Sequence, residues 1–439
     1  PEELILWMEE GQDSNFNKDS VAKIFHHDRI MASFAVETRF LDDRIGYVDE
    51  LPFVNVKRNV QYPTWLMSAD LGGIKGKVLL KFRSHFQYIT NFEYLLNAIA
   101  KIGQQNGLFC YSAPGLVYKF SEEIRYTASK KQLFQFVAQF YKKLRLAVLG
   151  WCFKNYENGS YLYPLITGSL KKSFFQHKVD LSDIDMKSSK IQDLENTIDV
   201  VIPTIGRPEH LLNVLEDLKQ QTLLPKNVII VEQKVDPKEK SDFSFNSEDW
   251  PFEIQHIFTH KTGACKSRNL ALSMVSSNWV FLCDDDNRFG ERIVRDTLNE
   301  MERIGADVLN TAYIQKDETP VYHSLKQWGT FGSGNAFLKS DVAKKIKFDV
   351  NFEFGYGEDI DFGCQSRNSG TDIIYHPTIE ILHLKAPMGG FRQQMKNDWE
   401  QGDLQPKPSP TFMSYLKKNY NDFQLSLIHI SEPTRRTPI

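Results

Sequence analysis

A chain of 439 residues is long for one hydrophobic core and points to two or three domains. Hydrophobic residues at 41% and charged residues at 25% form a globular composition, which excludes a largely disordered chain. A net charge of −3 provides no broad positive field, so nucleic acid is not an expected partner. The five cysteines, Cys110, Cys152, Cys265, Cys283 and Cys364, are dispersed and never spaced CxxC. That pattern argues against a disulfide framework and a zinc site, and fits a reducing, cytoplasmic setting. No run of 18 apolar residues occurs, and the opening PEELILWMEE has neither a basic nor an apolar signal region, so neither a membrane span nor a signal peptide is expected.

Residues 1–177 form an N-terminal part without internal repeats. Here VLLKFRSHF reads as an aromatic-rich strand and KQLFQFVAQFYKKLRLAVLGWCF as helix, so a separate α+β or α/β domain is expected. Phe82, Phe86, Tyr88, Phe92 and Tyr94 suit either a sugar-binding surface or a core. The stretch YKKLRLAVLGWCFKNY (141–156) mixes basic and apolar residues, as a half-buried helix does and as a helix in peripheral contact with a membrane also does. From 178 to 197 the chain turns polar, with Ser and Asp clusters and no aromatic residue, which is the composition of a linker.

From 198 to 425 short β-rich runs alternate with amphipathic helices, the pattern of βαβ units in a mainly parallel α/β sheet. IDVVIP (198–203) is the first strand, and PEHLLNVLEDLKQQ follows as a helix with Pro208 in its first turn. NVIIVE (227–232) and FEIQHIF (252–258) are further strands; the helix GACKSRNLALSMV then leads to the buried strand WVFLC (279–283). The closing SLIHISEPTRRTPI (426–439) has no periodicity and reads as a non-native tail that should contribute little to the fold.

Ligands of open α/β sheets bind beyond the C-terminal ends of strands, and the polar clusters of this half fall there. Asp284, Asp285 and Asp286 follow WVFLC directly, and strand alternation lets 284 and 286 face the same way. Such a pair favours Mg²⁺ or Mn²⁺, with substrate phosphates completing the shell; a solvated acidic turn is the plain alternative. His383, in IEILHLKAP, is either a further metal ligand or a packed strand histidine. Gly355-Tyr356-Gly357-Glu358-Asp359-Ile360-Asp361 opens a short helix ending at Gly370, so Asp359 or Glu358 could cap that helix or act as a general base. The loop Pro203-Thr204-Ile205-Gly206-Arg207-Pro208 turns into a helix N-terminus able to hold nucleotide or phosphate. Arg268, in CKSRNLAL, could clamp a diphosphate or make an ordinary salt bridge.

Taken in order, VVIPTIGRPEHLLNVLEDLKQQ, GACKSRNLAL, WVFLCDDDNRF and FDVNFEFGYGEDIDFGCQSRNSG resemble the successive motifs of glycosyltransferase family 2 with the GT-A fold, over residues about 196–390. The resemblance implies metal-dependent, inverting transfer of a hexose from a nucleotide-diphospho-sugar, UDP favoured, to a glycan or lipid-linked acceptor. Surface-polysaccharide synthesis at the inner face of the plasma membrane is the setting it implies. It also implies Pro203 and Thr204 in the nucleotide loop, Asp284 and Asp286 as the DxD-type pair and Asp359 as base. WGTFGSGN (328–335) resembles the acceptor-side segment and brings in Trp328, Gly334 and Asn335. The chain departs from the family pattern at Val231-Glu232-Gln233-Lys234-Val235, where the family has an Asp, then an acid or Asn, then Gly-Ser. Glu232 can still accept a hydrogen bond from a base such as uracil. Two other readings stay open: an inactive carbohydrate- or partner-binding module on the same scaffold, and a sugar-phosphate nucleotidyltransferase, whose Gly-rich loop and Pro-Lys signal are missing here.

Overall fold

The computed structural model describes residues 3–190, 195–245, 249–386 and 406–431. The chain divides into two compact units, one formed by 1–190 with 416–439 and the other by 191–415.

The strands of the first unit are β1 (Leu4–Met8), β2 (Ile30–Phe34), β3 (Thr38–Arg39), β4 (Tyr62–Pro63), β5 (Leu71–Lys75), β6 (Phe109–Ser112) and β7 (Arg125–Tyr126). Five of them make a mixed sheet in the order β1-β5-β2-β6-β4, and β3 pairs with β7. VLLKFRSHF is not a strand. It lies in the helix Gly76–Phe86, because Val78, Phe82 and Phe86, four residues apart, are the positions that reach the core. Tyr94 is also buried, whereas Tyr88 and Phe92 are exposed, so this aromatic group is mainly core. The long helical stretch breaks at Tyr141 and Lys142 into Lys130–Phe140, opened by a Ser129–Gln132 capping box, and Lys143–Tyr156.

Residues 178–190 differ from the expected free linker. Val179, Leu181 and Ile184 enter the core of the first unit, and Arg29 Nε donates to the Ile184 carbonyl at 2.7 Å. Polar composition concealed this because only every second or third residue is anchored. Residues 191–194 of that stretch lie outside the described residues.

The end of the chain also groups with the first unit, from 416 rather than beyond 425. The helix Asp422–Ser431 takes in the first six residues of the presumed tail, and 432–439 lie outside the described residues. The anchors precede the tail. Phe423 meets Tyr47 edge-on at 5.0 Å, and the buried Gln424 donates from Nε2 to the Asp49 carbonyl at 2.9 Å while accepting from Asn55 Nδ2 at 2.7 Å. Gln424→Ala strands these buried groups and is expected to lower stability by about 1–3 kcal/mol. Urea midpoints of the two proteins measure this, and equal midpoints would remove Gln424 as an anchor.

The second unit contains β8 (Ile198–Ile205), β9 (Asn227–Gln233), β10 (Glu253–Thr259), β11 (Trp279–Cys283), β12 (Asn287–Arg288), β13 (Val308–Gln315), β14 (Lys326–Gln327), β15 (Asn335–Lys339) and β16 (Ile374–His383). Their order is β10-β9-β8-β11-β15-β13-β16-β12, with β14 also on β16. Strands β8, β9, β10, β11, β13 and β16 run one way, and β12, β14 and β15 run against them. This is the expected α/β class with a mainly parallel sheet. Strands β9 and β11 are buried along their length, which is why they read as continuous apolar runs rather than alternations. Asp199 in β8 is a structural acid. It accepts from the backbone N–H groups of Ser276 and Ser277, the Ser277 hydroxyl and Asn227 Nδ2, and so ties the turn before β11 to β8. Burial pushes its pKa up, but these donors outweigh burial and hold it below the ordinary value. Among the described residues no helix is long and apolar enough to cross a membrane.

Candidate active site

Because β8 and β11 are parallel neighbours, the loops that follow them leave the same edge of the sheet. There the three consecutive acids take separate partners. Asp285 turns to the loop after β8, accepting from Thr204 Oγ1 at 2.7 Å and from Arg207 Nη1 at 2.9 Å. Desolvation pushes its carboxyl up to about 6, against the pull of Arg207 and Thr204. Gly206, at φ +64°, turns the chain from the half-buried Pro203 and buried Thr204 into the helix Pro208–Lys219 and so delivers Arg207. That helix is in turn fixed to β12 by Asp217, which accepts from Arg288 Nε at 2.7 Å and Nη2 at 2.8 Å.

Asp286 accepts from the Ala386 amide at 2.9 Å, lies 3.2 Å from Arg207 Nη1 and lies 3.5 Å from His383 Nε2. Its burial raises the pKa, but His383, the amide and Arg207 outweigh this and hold it at about 2. Asp284 accepts from Arg268 Nη2 at 3.0 Å, with the Tyr313 hydroxyl 3.2 Å away. Tyr313 stacks on His383 at 4.4 Å and 6° between planes, and lies 2.7 Å from Asn287 Oδ1. Asp284, Asp286 and His383 each present a ligand atom within 4.8 Å of the other two. Two carboxylates and an imidazole fit a divalent cation, and the ring stacked on His383 fixes the plane of its lone pair. Close approach to Asp284 requires Gly334, since a Cβ there would overlap Asp284 Oδ2.

The second acidic group opens the helix Glu358–Asn368 behind Gly357, whose φ is +114°. Asp359 is half-buried. Its Oδ2 accepts from the Ser333 N–H at 3.3 Å, and its Oδ1 has no hydrogen-bond partner among the described residues. Burial raises the pKa of both acids, and Glu358 is pushed up to about 7 by desolvation and by Asp359, against Arg268. The buried Arg268 comes from the helix Ala264–Leu272, whose N-terminus is capped by Glu353 accepting from Lys266 N at 2.7 Å and Cys265 N at 3.2 Å. Burial disfavours its charge, yet Asp284, Asp359 and Glu358 outweigh that and hold its pKa above the ordinary value. Arg268 is thus a salt-bridge partner inside the acidic group, rather than a cation standing free for a diphosphate. A cleft of about 670 Å³ opens beside Glu358 and Asp359, walled by Phe331, Tyr356 and Phe412.

The folded protein keeps a proton on Glu358 that the unfolded chain releases near pH 4.5. That contribution to stability is full below about pH 4.5 and is lost as the pH rises through about 7. Glu358→Gln removes the buried charge, so its melting temperature in EDTA should exceed that of the parent by about 2 °C or more at pH 8 and by much less at pH 5. The same difference at both pH values would count against a raised Glu358.

Residues 199–360 match the family model for glycosyl transferase family 2. This match spans 162 of the 439 residues, all of them in the second unit. No curated protein matches the chain. Solved structures that align with it include S. aureus TarS 1-349, at 17% identity over 43% of this chain and 60% of that one with a TM-score of 0.34. TarS 1-349 in complex with UDP-GlcNAc aligns at 16% identity over 46% and 62%, TM-score 0.36. Mannosyltransferase PcManGT from Pyrobaculum calidifontis in complex with GDP-Man and Mn²⁺ aligns at 14% identity over 44% and 60%, TM-score 0.32. The chain thus spans about 60% of the length of these structures.

Elsewhere in the second unit the expected site residues separate. Glu232 is buried and accepts from the Ser241 hydroxyl, the Asp242 N–H at 2.8 Å and His256 Nε2 at 2.9 Å. Three donors thus already occupy its carboxylate. Asn335 is likewise internal, donating to the Thr311 carbonyl at 2.6 Å and accepting from Asn310 Nδ2 at 3.2 Å. Gly334 serves the approach to Asp284, whereas Trp328 lines a cavity. Trp328 stacks on Tyr375 at 4.6 Å beside Tyr322, and these rings line a cavity of about 270 Å³. Lys326 lies over Tyr322 at 3.5 Å, its pKa pulled down by burial to about 8. Sequence reasoning missed Tyr313, Asn287, Ser333 and Glu353. Asn287 stands next to the acidic triplet, and Ser333 and Glu353 lie inside the motif segments WGTFGSGN and FDVNFEFGYGEDIDFGCQSRNSG, whereas Tyr313 carried no local signal.

Proposed function

We propose that the second unit transfers a hexose from a nucleotide-diphospho-sugar, a UDP-sugar first, to a hydroxyl of a glycan or lipid-linked acceptor with inversion. The observation that carries this reading is the pairing of a cation-binding set, Asp284, Asp286 and His383, with a half-buried carboxylate, Asp359, whose Oδ1 is shielded from water and has no partner among the described residues. Asp359 takes the proton of the acceptor hydroxyl as the new oxygen–carbon bond forms at the anomeric carbon. The carbon–oxygen bond to phosphate breaks, and its electron pair leaves with the nucleoside diphosphate. A divalent cation held by Asp284, Asp286 and His383 would supply positive charge opposite the departing diphosphate. The loop Pro203–Arg207 with Asp285 is the nucleotide side, and Trp328 with Tyr375 the acceptor side. Surface-polysaccharide synthesis on the cytoplasmic side is the setting that suits such an acceptor.

A hydrolysis screen of UDP-, GDP- and dTDP-sugars with Mn²⁺ and with Mg²⁺ tests this directly. Cation-dependent release of a nucleoside diphosphate is the expected result. Donor binding with no turnover, even with glycan acceptors added, would leave the inactive-module reading, and pyrophosphate release from a nucleoside triphosphate and a sugar phosphate would mean a nucleotidyltransferase.

A further inference from the structure

Two helices of the first unit leave apolar side chains in water. In Lys143–Tyr156, Leu146, Leu149, Cys152 and Phe153 are buried, but Leu144 and Trp151, two turns apart, stay 73% and 44% exposed. In Leu162–Ser169 and the residue after it, Leu162, Tyr163, Ile166 and Leu170 are between 57% and 81% exposed. Positions 162, 166 and 170 form one stripe at helical spacing, so the water-facing side is the apolar one, the reverse of an ordinary surface helix. The helices touch, since a Cβ on Gly150 would meet Leu165 at 3.4 Å, so the two apolar sets belong to packed neighbouring helices.

Charge says what covers this surface. Between 128 and 179 the chain carries nine Lys and Arg and a single acid, Glu157, in a protein whose net charge is −3. Lys142, Lys143, Lys154, Lys171 and Lys172 are exposed and, among the described residues, make no ion pair. Exposed Leu, Ile, Trp and Tyr bordered by unpaired lysines is the composition of interfacial helices, in which apolar side chains enter the headgroup layer and cations meet anionic lipid. Two copies of so cationic a face would repel each other, whereas lipid phosphates neutralise it.

We propose that this face of the first unit, helices 143–156 and 162–169 with the lysines at 171 and 172, docks on an anionic lipid bilayer. The test uses the full chain and phosphatidylcholine vesicles with or without phosphatidylglycerol. Co-sedimentation is expected with the anionic vesicles alone, weakening at high salt. Each cation lost near the surface lowers partitioning roughly fivefold, so Lys171→Glu with Lys172→Glu should lower it at least tenfold. Leu162→Ser with Ile166→Ser should weaken it as well, while Lys238→Glu with Lys240→Glu, the same charge change on an exposed loop elsewhere, should not. All these positions are exposed, and unchanged melting temperatures check that the variants fold. Absence of sedimentation overturns the proposal, as does equal loss from the 171/172 and 238/240 pairs. A dimer abolished by Leu162→Ser with Ile166→Ser, without lipid binding, would assign the face to a second copy instead.

Discussion

An Asp359→Asn protein is expected to lose about 10² to 10⁴ in kcat for sugar transfer while its donor Kd stays close to that of the parent. The amide preserves the shape of the side chain and an oxygen for the Ser333 N–H, which lies 3.3 Å from Oδ2, so the start of the helix should not move. What disappears is the proton acceptor. Asp359 is half-buried with Oδ1 unpartnered among the described residues, and desolvation pushes its pKa above the ordinary carboxylate range, against the pull of Arg268, which makes its ionised form a stronger base. Glu358 is the rival, since it stands in the same cleft and is pushed up to about 7. Rates for Asp359→Asn and Glu358→Gln, with melting temperatures measured alongside, separate the two. Retained kcat in a folded Asp359→Asn protein would move the role to Glu358, and loss of donor binding along with rate would place Asp359 on the donor side.

Asp286→Ala should lower transfer by roughly 10² to 10³ and raise the concentration of Mn²⁺ or Mg²⁺ needed for half-maximal activity. Asp286 is the acid that most of the site converges on, taking the Ala386 amide, Arg207 and His383. Those donors hold its carboxyl at about 2, so it remains charged across the working pH range and ready for a cation. Asp284→Ala should cost less. Its carboxylate is shared between Arg268 and Tyr313, and Asp286 with His383 would remain. Excess EDTA should abolish transfer by the parent, with recovery on adding Mn²⁺ or Mg²⁺. Full activity in EDTA would rule out the cation reading for all three residues.

By itself the sequence determined what depends on near neighbours. IDVVIP, NVIIVE and WVFLC read as strands because a buried parallel strand is apolar on both faces, and the acids after WVFLC read as a ligand edge because strand ends lead there. The helix behind Gly357 and the sharp turn at Gly206 were visible for the same reason. Local pattern misled where two periods compete: VLLKFRSHF has strand-like composition, yet its core contacts recur every four residues. Only tertiary structure decided which of the legible residues are already engaged by distant neighbours. Glu232 is spent on Ser241, Asp242 and His256, and Arg268 on Asp284. His383 joins Asp286 across 97 positions, Glu353 caps a helix 87 residues earlier, and Gln424 anchors the chain end to Asp49. Such pairings follow from how strands and helices pack, and hydrogen bonds between residues so far apart leave no mark in the spacing of either partner with its own neighbours.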